Sequence, residues 1–368
     1  MSSSGNSKKL PEKYILLNPG PVNTSKKVKQ SLLRGDLCHR EKEFSNLLLK
    51  VRQNLLKAFG LKNYFPIFLS GSGTLALETA LVSTLDPKRK VLVLSNGVYG
   101  DRIEKIISLH GFRKEIIKVH LGEPLPLDRI NQLLLSDSEI ESVAMVHHET
   151  STGMLNPLRK IAQLKGMKGK RLIVDAISSL GGEEISWGEI PIHVCVGTAN
   201  KCIQGLPGVS FVLLREGELE KMHSFPPRSL YLDLKTYWKE QESGGVPFTP
   251  AVQTFYALDT ALEELIEEGV KNRIQRYQQY SARFRQGFEN LGLEYLIDPK
   301  YHSGTLTALK LPAGVSYDAL HDQLKAQGFV IYAGQGDLKT KIFRVANMGN
   351  LKLKDIDRFL KCLEKIIK

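Results

Sequence analysis

The sequence predicts an α/β fold: a large domain built on a mostly parallel sheet, followed by a smaller α+β domain. Three observations predict it. The chain has 368 residues, which is more than one hydrophobic core usually organises. From residue 65 onward, short apolar runs alternate with helical patterns, and this alternation stops after Pro250.

The alternation predicts parallel strands that are covered by helices on both faces of one sheet. The strand-like runs are too short to cross a bilayer and are separated by helical stretches such as Thr74–Thr84 and Gly100–Leu109. They are Pro66–Leu69, Val91–Ser95, Ser142–His147, Arg171–Asp175, Val194–Val196 and Val209–Leu214.

The pattern after Pro250 predicts a bridging helix and a second, smaller domain. A helical stretch from about residue 252 to 290 is interrupted near Gly269. Beyond it, residues 304–310 and 330–333 predict strands, and residues 317–327 and 354–367 predict helices. We therefore expect a disordered tail over 1–12, a large domain over 13–265 and a small domain over 266–368.

Composition narrows the cellular setting and the partners. Four cysteines without metal-ligand spacing, and no secretory or membrane-spanning stretch, predict a reducing compartment, the cytoplasm. The net charge of +12 is spread over helices and is not gathered into a basic block interleaved with aromatic residues. We expect neither a nucleic-acid nor a membrane partner, and a basic surface suits small anionic substrates equally well.

A glycine-rich turn at residues 68–79 (FLSGSGTLALET) predicts an anion site. Backbone N–H groups and a helix N-terminus converge there, with hydroxyls from Ser72 and Thr74 beside Gly73. The same letters fit the dinucleotide fingerprint, which expects an acid at the end of the next strand; Ser95-Asn96-Gly97 stands there instead. A turn whose glycines serve packing alone is the other alternative.

Two charged residues follow at positions where α/β sheets bind ligands. Asp175 ends a buried run within RLIVDAISSLGG, although an aspartate there could also cap a helix. Lys201 lies on a glycine-bracketed loop between two apolar runs, where a desolvated amine becomes nucleophilic. For any single lysine, a solvated side chain is the ordinary alternative.

Together these three segments match what pyridoxal 5′-phosphate (PLP) requires. The cofactor needs its phosphate anchored, its pyridine nitrogen kept protonated by a carboxylate, and its aldehyde captured by an amine. The anion site, Asp175 and Lys201 offer these contacts in that chain order. The sequence therefore predicts a PLP enzyme.

The wording of these and other segments resembles the class V, fold-type I aminotransferases from residue 14 onward. That resemblance implies a large domain with a mostly parallel seven-stranded sheet and a smaller α+β C-terminal domain. The matching segments are NPGPV (18–22), CHREKEF (38–44), SGSGTLALE (70–78), SNGVYGDR (95–102), HHETSTGMLNP (147–157), IVDAISSLGG (173–182), TANKCIQGLPG (198–208), SLYLDL (229–234) and FRVANMG (343–349).

The resemblance assigns the cofactor contacts by position. Lys201 would hold PLP as a Schiff base and then carry the proton between the substrate carbon and the cofactor, while Asp175 would pair with the pyridinium nitrogen. Tyr99 would stack on the ring and Thr150 would bind its hydroxyl. The remaining implied contacts are to the phosphate, from Ser72, Gly73, Thr74 and nearby Asn200, and from Thr249 of a second subunit in a homodimer.

The resemblance also implies the substrate contacts and the reaction. Arg344 would clamp the substrate's acid group, and Gly20 would lie along the substrate cavity. Within the class, the similarity is greatest to enzymes that transfer the amino group of 2-aminoethylphosphonate to pyruvate, giving phosphonoacetaldehyde and alanine. Alanine– or serine–glyoxylate transamination is the alternative, because CHREKEF departs from the acidic, tryptophan-containing stretch of some close relatives.

Two further chemistries are not favoured by the sequence. A desulfurase of this fold needs a cysteine on a small-domain loop, and no cysteine lies between Cys202 and Cys362. His147, His148 and Glu149 have no further ligand at metal spacing, so we interpret them as a strand end beside the cofactor. We expect no metal, and Cys202 is interpreted as a packing residue.

Overall fold

Strands form at the buried runs predicted above, and helices lie between them. The structure is a computed structural model and describes residues 14–368. The strands are β1 (Ile15–Leu16), β2 (Tyr64–Ser70), β3 (Lys90–Ser95), β4 (Lys114–Lys118), β5 (Ile140–Val146), β6 (His148–Glu149), β7 (Met154–Leu155), β8 (Arg171–Asp175), β9 (Val194–Thr198), β10 (Val209–Arg215), β11 (Leu306–Lys310), β12 (Phe329–Val330), β13 (Tyr332–Ala333) and β14 (Ile342–Ala346). The helices are α1 (Lys26–Gln30), α2 (Lys42–Phe59), α3 (Gly73–Thr84), α4 (Val98–Leu109), α5 (Leu127–Ser136), α6 (Leu158–Ala162), α7 (Glu218–His223), α8 (Leu234–Glu242), α9 (Val252–Glu268), α10 (Val270–Asn290), α11 (Tyr317–Ala326) and α12 (Leu353–Ile367).

The mostly parallel seven-stranded sheet is confirmed. Its strand order is β2-β10-β9-β8-β5-β3-β4, and β10 alone runs against its neighbours. The carboxyl ends of the other six strands therefore share one edge. That edge is where ligands bind in open α/β sheets, and β8 lies at the middle of the sheet.

Both faces of this sheet are buried, because alternate residues of each strand enter different cores. In β3, Leu92 and Leu94 pack in a core that includes residues of α2, α5 and α9. Val91 and Val93 pack in the other core, with residues of α3, α4, α7 and α8. This period of two explains why the central strands read as continuous apolar runs.

Around the C-terminal part of the chain, a three-stranded sheet of order β11-β14-β13 packs against helices. The predicted bridging helix is two helices, α9 and α10, which meet at Gly269 with φ of +80°, where the sequence indicates an interruption. The N-terminal β1 pairs with β12, so the start of the described chain joins this C-terminal part. The division at residue 265 stays a prediction, and the tail over 1–12 lies outside the described residues.

Several elements were not predicted from the sequence, and α2, β14 and β4 are three of them. The 18-residue α2 has its buried residues on one face, and β14 carries Arg344. The edge strand β4 reads Lys-Glu-Ile-Ile-Lys and has one fully buried side chain, so it lacks the apolar run of a central strand. No helix among residues 14–368 is both long enough and apolar enough to cross a bilayer.

Candidate active site

A cavity of about 360 Å³ opens at the carboxyl edge of the central sheet. It brings together seven of the residues that were predicted to bind the cofactor. They are Ser72, Gly73, Thr74, Tyr99, Asp175, Asn200 and Lys201. Asp175 is the last residue of β8, and Lys201 follows the neighbouring β9 on its loop, so the predicted acid and amine line one cavity.

The glycine-rich turn lies on one side of this cavity and starts α3. Ser72 is the N-cap residue, and its hydroxyl accepts a hydrogen bond from the Leu75 N–H at 3.4 Å. The first-turn N–H groups of Gly73 and Thr74 have no partner within the helix, which makes this end an anion site. The preceding β2 is an edge strand with β10, which is antiparallel to it, as its neighbour. A dinucleotide fold needs a parallel βαβ unit at this turn, so the geometry disfavours that alternative.

Asp175 is buried and presents one free carboxylate oxygen. Its Oδ1 accepts from the Ile177 N–H at 2.9 Å, and Oδ2 accepts from no described residue. Burial raises the pKa of Asp175 to about 6, although the Ile177 N–H and the charges of Arg102 and Lys201 oppose the increase. A cation at Oδ2 would hold this carboxyl group ionised at neutral pH.

The amine of Lys201 is withdrawn from solvent, and this burial lowers its pKa to about 8. Its Nζ donates a hydrogen bond to the carbonyl oxygen of Pro19. A Cβ atom on Gly20 would lie 2.5 Å from Cδ of Lys201, and the φ of Gly20 is +116°. Gly20 therefore has to be glycine for the lysine to lie where it does.

Arg344 and Thr150 meet beside the cavity. Arg344 is 2% exposed, and its Nη1 donates to the Thr150 carbonyl oxygen at 2.8 Å, while its Nε donates to the Ala333 carbonyl oxygen at 2.8 Å. Nη2 donates to no described residue, so part of the guanidinium stays available. The Arg344 side chain bridges the turn after β6 and the strand β13.

Thr249 is a predicted cofactor contact that does not line this cavity, and Thr150, Gly20 and Arg344 are not part of its lining either. Thr249 is exposed, and it lines a separate small pocket with Phe248 and Tyr231. Two neighbours on the same surface are large exposed apolar side chains, Leu230 at 82% and Tyr231 at 43%.

Two buried polar atoms, one on a residue that lines the cavity and one two residues further along the chain, lack hydrogen-bond partners within residues 14–368. Thr150 Oγ1 and His148 Nε2 are enclosed and have no hydrogen-bond partner among the described residues. His148 lines the cavity, and burial lowers its pKa to about 3, which keeps the ring neutral. Buried polar groups normally have partners, so a bound molecule with hydrogen-bonding groups fits here.

Arg102, which was not predicted from the sequence as a site residue, lines the same cavity. Its Nη1 donates to Thr74 Oγ1 at 3.1 Å, and its guanidinium carbon lies 4.7 Å from the centre of the Tyr99 ring. Arg102 follows Tyr99 by three residues on α4, so both reach the cavity from one helix face. The matching segment SNGVYGDR contains it, and that was the available signal.

Comparison with known proteins identifies the family. The model of the aminotransferase class-V family matches residues 24–347. The chain belongs to the class-V aminotransferase family. As a class-V aminotransferase it is PLP-dependent, and the cavity fits that cofactor: an anion site, a carboxylate, an amine and the unpaired His148 Nε2 belong to residues that line it.

Two curated relatives and one solved structure show how far this class-V aminotransferase resembles other members. The 2-aminoethylphosphonate–pyruvate transaminase of Bacillus cytotoxicus is 36% identical over 96% of this chain and 97% of its own length. The enzyme of the same name from Salmonella heidelberg is 38% identical over 94% and 96%. The alanine–glyoxylate aminotransferase structure from Nostoc sp. superposes with a TM-score of 0.91 at 27% identity, over 99% and 97%.

No group of three metal-ligating side chains that could hold a metal ion occurs among residues 14–368. His147 is buried and its pKa falls to about 4, so it is neutral like His148. All four cysteines are free thiols, and Cys202 is buried, where its Sγ donates to the Ser178 carbonyl oxygen at 3.4 Å. Of these histidines and cysteines, His148 alone lines the cavity.

Removing the charge of Arg102 is expected to weaken cofactor binding. Arg102→Gln should raise the dissociation constant of PLP by about 10- to 100-fold, because a charge-assisted hydrogen bond to the phosphate group would be lost. Titration of the cofactor-free protein with PLP, followed by absorbance, measures it. Lys105→Gln, an exposed lysine further along α4, is the matched control. Equal affinity in Arg102→Gln and wild type would show that Arg102 does not face the phosphate.

Proposed function

We propose that this class-V aminotransferase transfers the amino group of 2-aminoethylphosphonate to pyruvate, giving phosphonoacetaldehyde and L-alanine. The observation that carries the proposal is the near-full-length match to curated enzymes of that name at 34–38% identity. The proposed binding group for the acid of both substrates is the guanidinium of Arg344. A guanidinium suits a phosphonate and a carboxylate equally, because both present a pair of oxygens to its fork.

The residues around the cavity divide the work of the reaction. When bound, the protonated ring of the cofactor supplies an electron sink for the charge left on a carbon that loses its proton. Asp175 would keep the ring nitrogen protonated through its free Oδ2. Lys201 would capture the aldehyde and later move a proton as a neutral amine, since its lowered pKa of about 8 leaves a useful neutral fraction near pH 7.

The remaining contacts of the proposal concern orientation. Tyr99 would stack on the ring from α4, and Thr150 Oγ1, which has no partner among the described residues, would meet the ring hydroxyl. Gly73 and Thr74, with Ser72, would hold the phosphate at the N-terminus of α3. Asn200 lines the cavity beside them, and its Oδ1 accepts from the Thr198 hydroxyl at 2.9 Å.

We further propose that the enzyme works as a homodimer in which Thr249 reaches the partner's cofactor phosphate. The support is its position: it lies outside its own cavity, on a surface with the exposed apolar side chains of Leu230 and Tyr231. Such side chains beside a polar group are typical of a covered interface. A cytoplasmic location also stays a proposal, supported by four free thiols.

The amino donor is tested by a half-reaction. Mixing the PLP-loaded protein with 2-aminoethylphosphonate alone should convert the cofactor spectrum to the pyridoxamine form, and pyruvate should reverse the change. L-Serine and L-alanine with glyoxylate test the alternative, which the fold similarity to alanine–glyoxylate aminotransferase favours. Conversion by L-serine and none by 2-aminoethylphosphonate would replace the proposed donor and leave the cofactor chemistry intact.

Removal of Arg344 should weaken both half-reactions. Truncating a buried charge that pairs with a ligand costs about 2–5 kcal/mol, so Arg344→Ala should raise KM for the aminophosphonate and for pyruvate by roughly 30-fold or more. Arg344→Lys keeps the charge and loses the fork, so it should recover part of the affinity. Arg358→Gln, an exposed arginine on α12, is the control. An effect on pyruvate alone would mean that another group binds the phosphonate.

A further inference from the structure

Glu149 is a fully buried carboxylate that no step of the amino transfer uses. It lies in β6, between His148, which lines the cavity, and Thr150, whose hydroxyl has no partner. Successive side chains of an extended segment point to opposite sides. Accordingly, His148 faces the cavity while the Glu149 carboxylate enters the start of α4.

Both oxygens of this carboxylate are occupied by donors. Oε2 accepts from the backbone N–H groups of Tyr99 and Gly100, each at 3.1 Å. Oε1 accepts from the Ser151 N–H at 3.2 Å and from the Ser151 hydroxyl at 2.5 Å. The Ser151 hydroxyl oxygen also accepts from the Val98 N–H at 3.2 Å. Glu149 and Ser151 thus cap the first three N–H groups of α4.

The N-terminus of α4, the helix that carries Tyr99, is suited to a buried carboxylate. The free N–H groups at a helix N-terminus, together with the helix dipole, favour a negative charge there. Residue 97 has to be glycine for the carboxylate to fit, because a Cβ atom there would lie 2.2 Å from Cδ of Glu149. The cap therefore holds the backbone of Tyr99, from which its side chain extends.

The next peptide group holds the substrate arginine. The Thr150 carbonyl oxygen accepts from Nη1 of Arg344 at 2.8 Å. Residues 149–151, which we call the tether turn, consequently bond Tyr99 on one side and Arg344 on the other. These two side chains belong to elements far apart in the chain, α4 and β14.

We propose that Glu149 is a positioning residue that sets the distance between the cofactor ring and the acid-binding arginine. Its carboxylate holds the backbone N–H of Tyr99, whose ring would stack on the cofactor, and the same tether turn holds the guanidinium of Arg344. This inference rests on the class-V activity and on the proposed roles of Tyr99 and Arg344, and it is independent of which amino donor is used.

The variant Glu149→Gln tests the proposal with little change of shape. Its amide nitrogen has to face a backbone N–H on either side, so at least one hydrogen bond to the side chain is lost together with the negative charge. We expect the dissociation constant of PLP to rise about tenfold or more, as for the loss of a charge-assisted hydrogen bond. The visible circular dichroism of the bound cofactor should also change.

The substrate side is measured without an amino donor. Enzyme loaded with pyridoxamine phosphate is mixed with increasing pyruvate, and the single-turnover rate gives an apparent pyruvate affinity and a maximal rate. Glu149→Gln should weaken the apparent affinity about tenfold, because the tether turn that holds Arg344 through the Thr150 carbonyl oxygen loses bonds that anchor it to α4, while the maximal rate falls less. This split distinguishes displacement of the clamp from a loss of folded protein.

A matched control and a milder variant complete the test. Glu218→Gln alters another buried carboxylate, which pairs with Arg171 at the opposite end of β8 from Asp175. It should lower stability and leave both affinities unchanged. Ser151→Ala removes one hydroxyl of the tether turn and should shift both affinities in the same direction by less. If Glu149→Gln does not fold, Ser151→Ala decides. Unchanged PLP and pyruvate affinities in the folded variant would overturn the proposal.

Discussion

Replacing Lys201 with alanine is expected to reduce transamination by about 10²–10⁴-fold or more, because both the amine that captures the cofactor and the group that moves the proton are lost. The pKa of the Lys201 amine, about 8, leaves roughly a tenth of it neutral at pH 7, against roughly three in ten thousand at an ordinary lysine pKa. Steady-state kinetics measures the effect, and far-UV circular dichroism checks that the fold persists.

A second lysine provides the control for this loss. Lys170 is also partly buried with a lowered pKa, and its Nζ donates to the Ile140 carbonyl oxygen at 2.6 Å, away from the cavity. Lys170→Ala should keep its turnover. Added small primary amines should restore part of the activity of Lys201→Ala and should not increase the activity of wild type. Substantial turnover in Lys201→Ala without added amine would contradict the assignment.

Replacing Asp175 with asparagine should produce the second large loss. Loss of the charge pair costs about 2–5 kcal/mol, so kcat should fall roughly 30- to several thousand-fold. The reason is that the ring nitrogen would no longer be held protonated. Asp259→Asn is the matched control, since Asp259 is equally buried and pairs with Lys50 away from the cavity. Wild-type kcat in Asp175→Asn would exclude this residue as the partner of the ring.

The pH dependence of cofactor binding gives an independent measurement of the same carboxylate. In the cofactor-free protein, burial raises the pKa of Asp175 from its ordinary value of 3.8 to about 6. A neighbouring pyridinium would favour the ionised carboxylate. Below pH 6 the carboxyl group has to lose a proton before it can pair. PLP affinity should therefore increase as pH rises through about 6, and this increase should be absent in Asp175→Asn.

The central sheet was predictable because its strands are buried on both faces. Runs such as Arg171–Asp175 carry apolar side chains at every interior position, so their burial is visible in the sequence. The edge strand Lys114–Lys118 has one buried side chain and charged ends, and its pairing with β3 is a tertiary effect. Its strand conformation follows from a neighbour that lies distant in the chain.

Within the site, the order of an acid and an amine after successive strands predicted more than the local sequence pattern around any one residue. Asp175 and Lys201 follow neighbouring strands, and the rule that ligands bind at strand ends brings them together. Arg102 was not predicted, because an arginine within an amphipathic helix looks like an ordinary half-exposed residue. Its role depends on the direction in which Tyr99 and Thr74 approach it, which the sequence does not express.

Glu149 shows a similar limit. In the sequence it is an acid beside two histidines, and the interpretation as a strand end beside the cofactor describes its place without its partners. The four hydrogen bonds to its carboxylate come from residues 99, 100 and 151, two of which are distant in the chain. That the N-terminus of α4 is capped from a different strand end is a feature of the assembled fold.

The proposed chemistry requires that an amine and an acid act on one cofactor at the carboxyl edge of the sheet. Borohydride reduction of the PLP-loaded protein, followed by peptide mapping by mass spectrometry, tests this most directly. We expect one pyridoxyl group per chain, on Lys201. A pyridoxyl group on a different lysine, or none in protein that retains PLP, would contradict it.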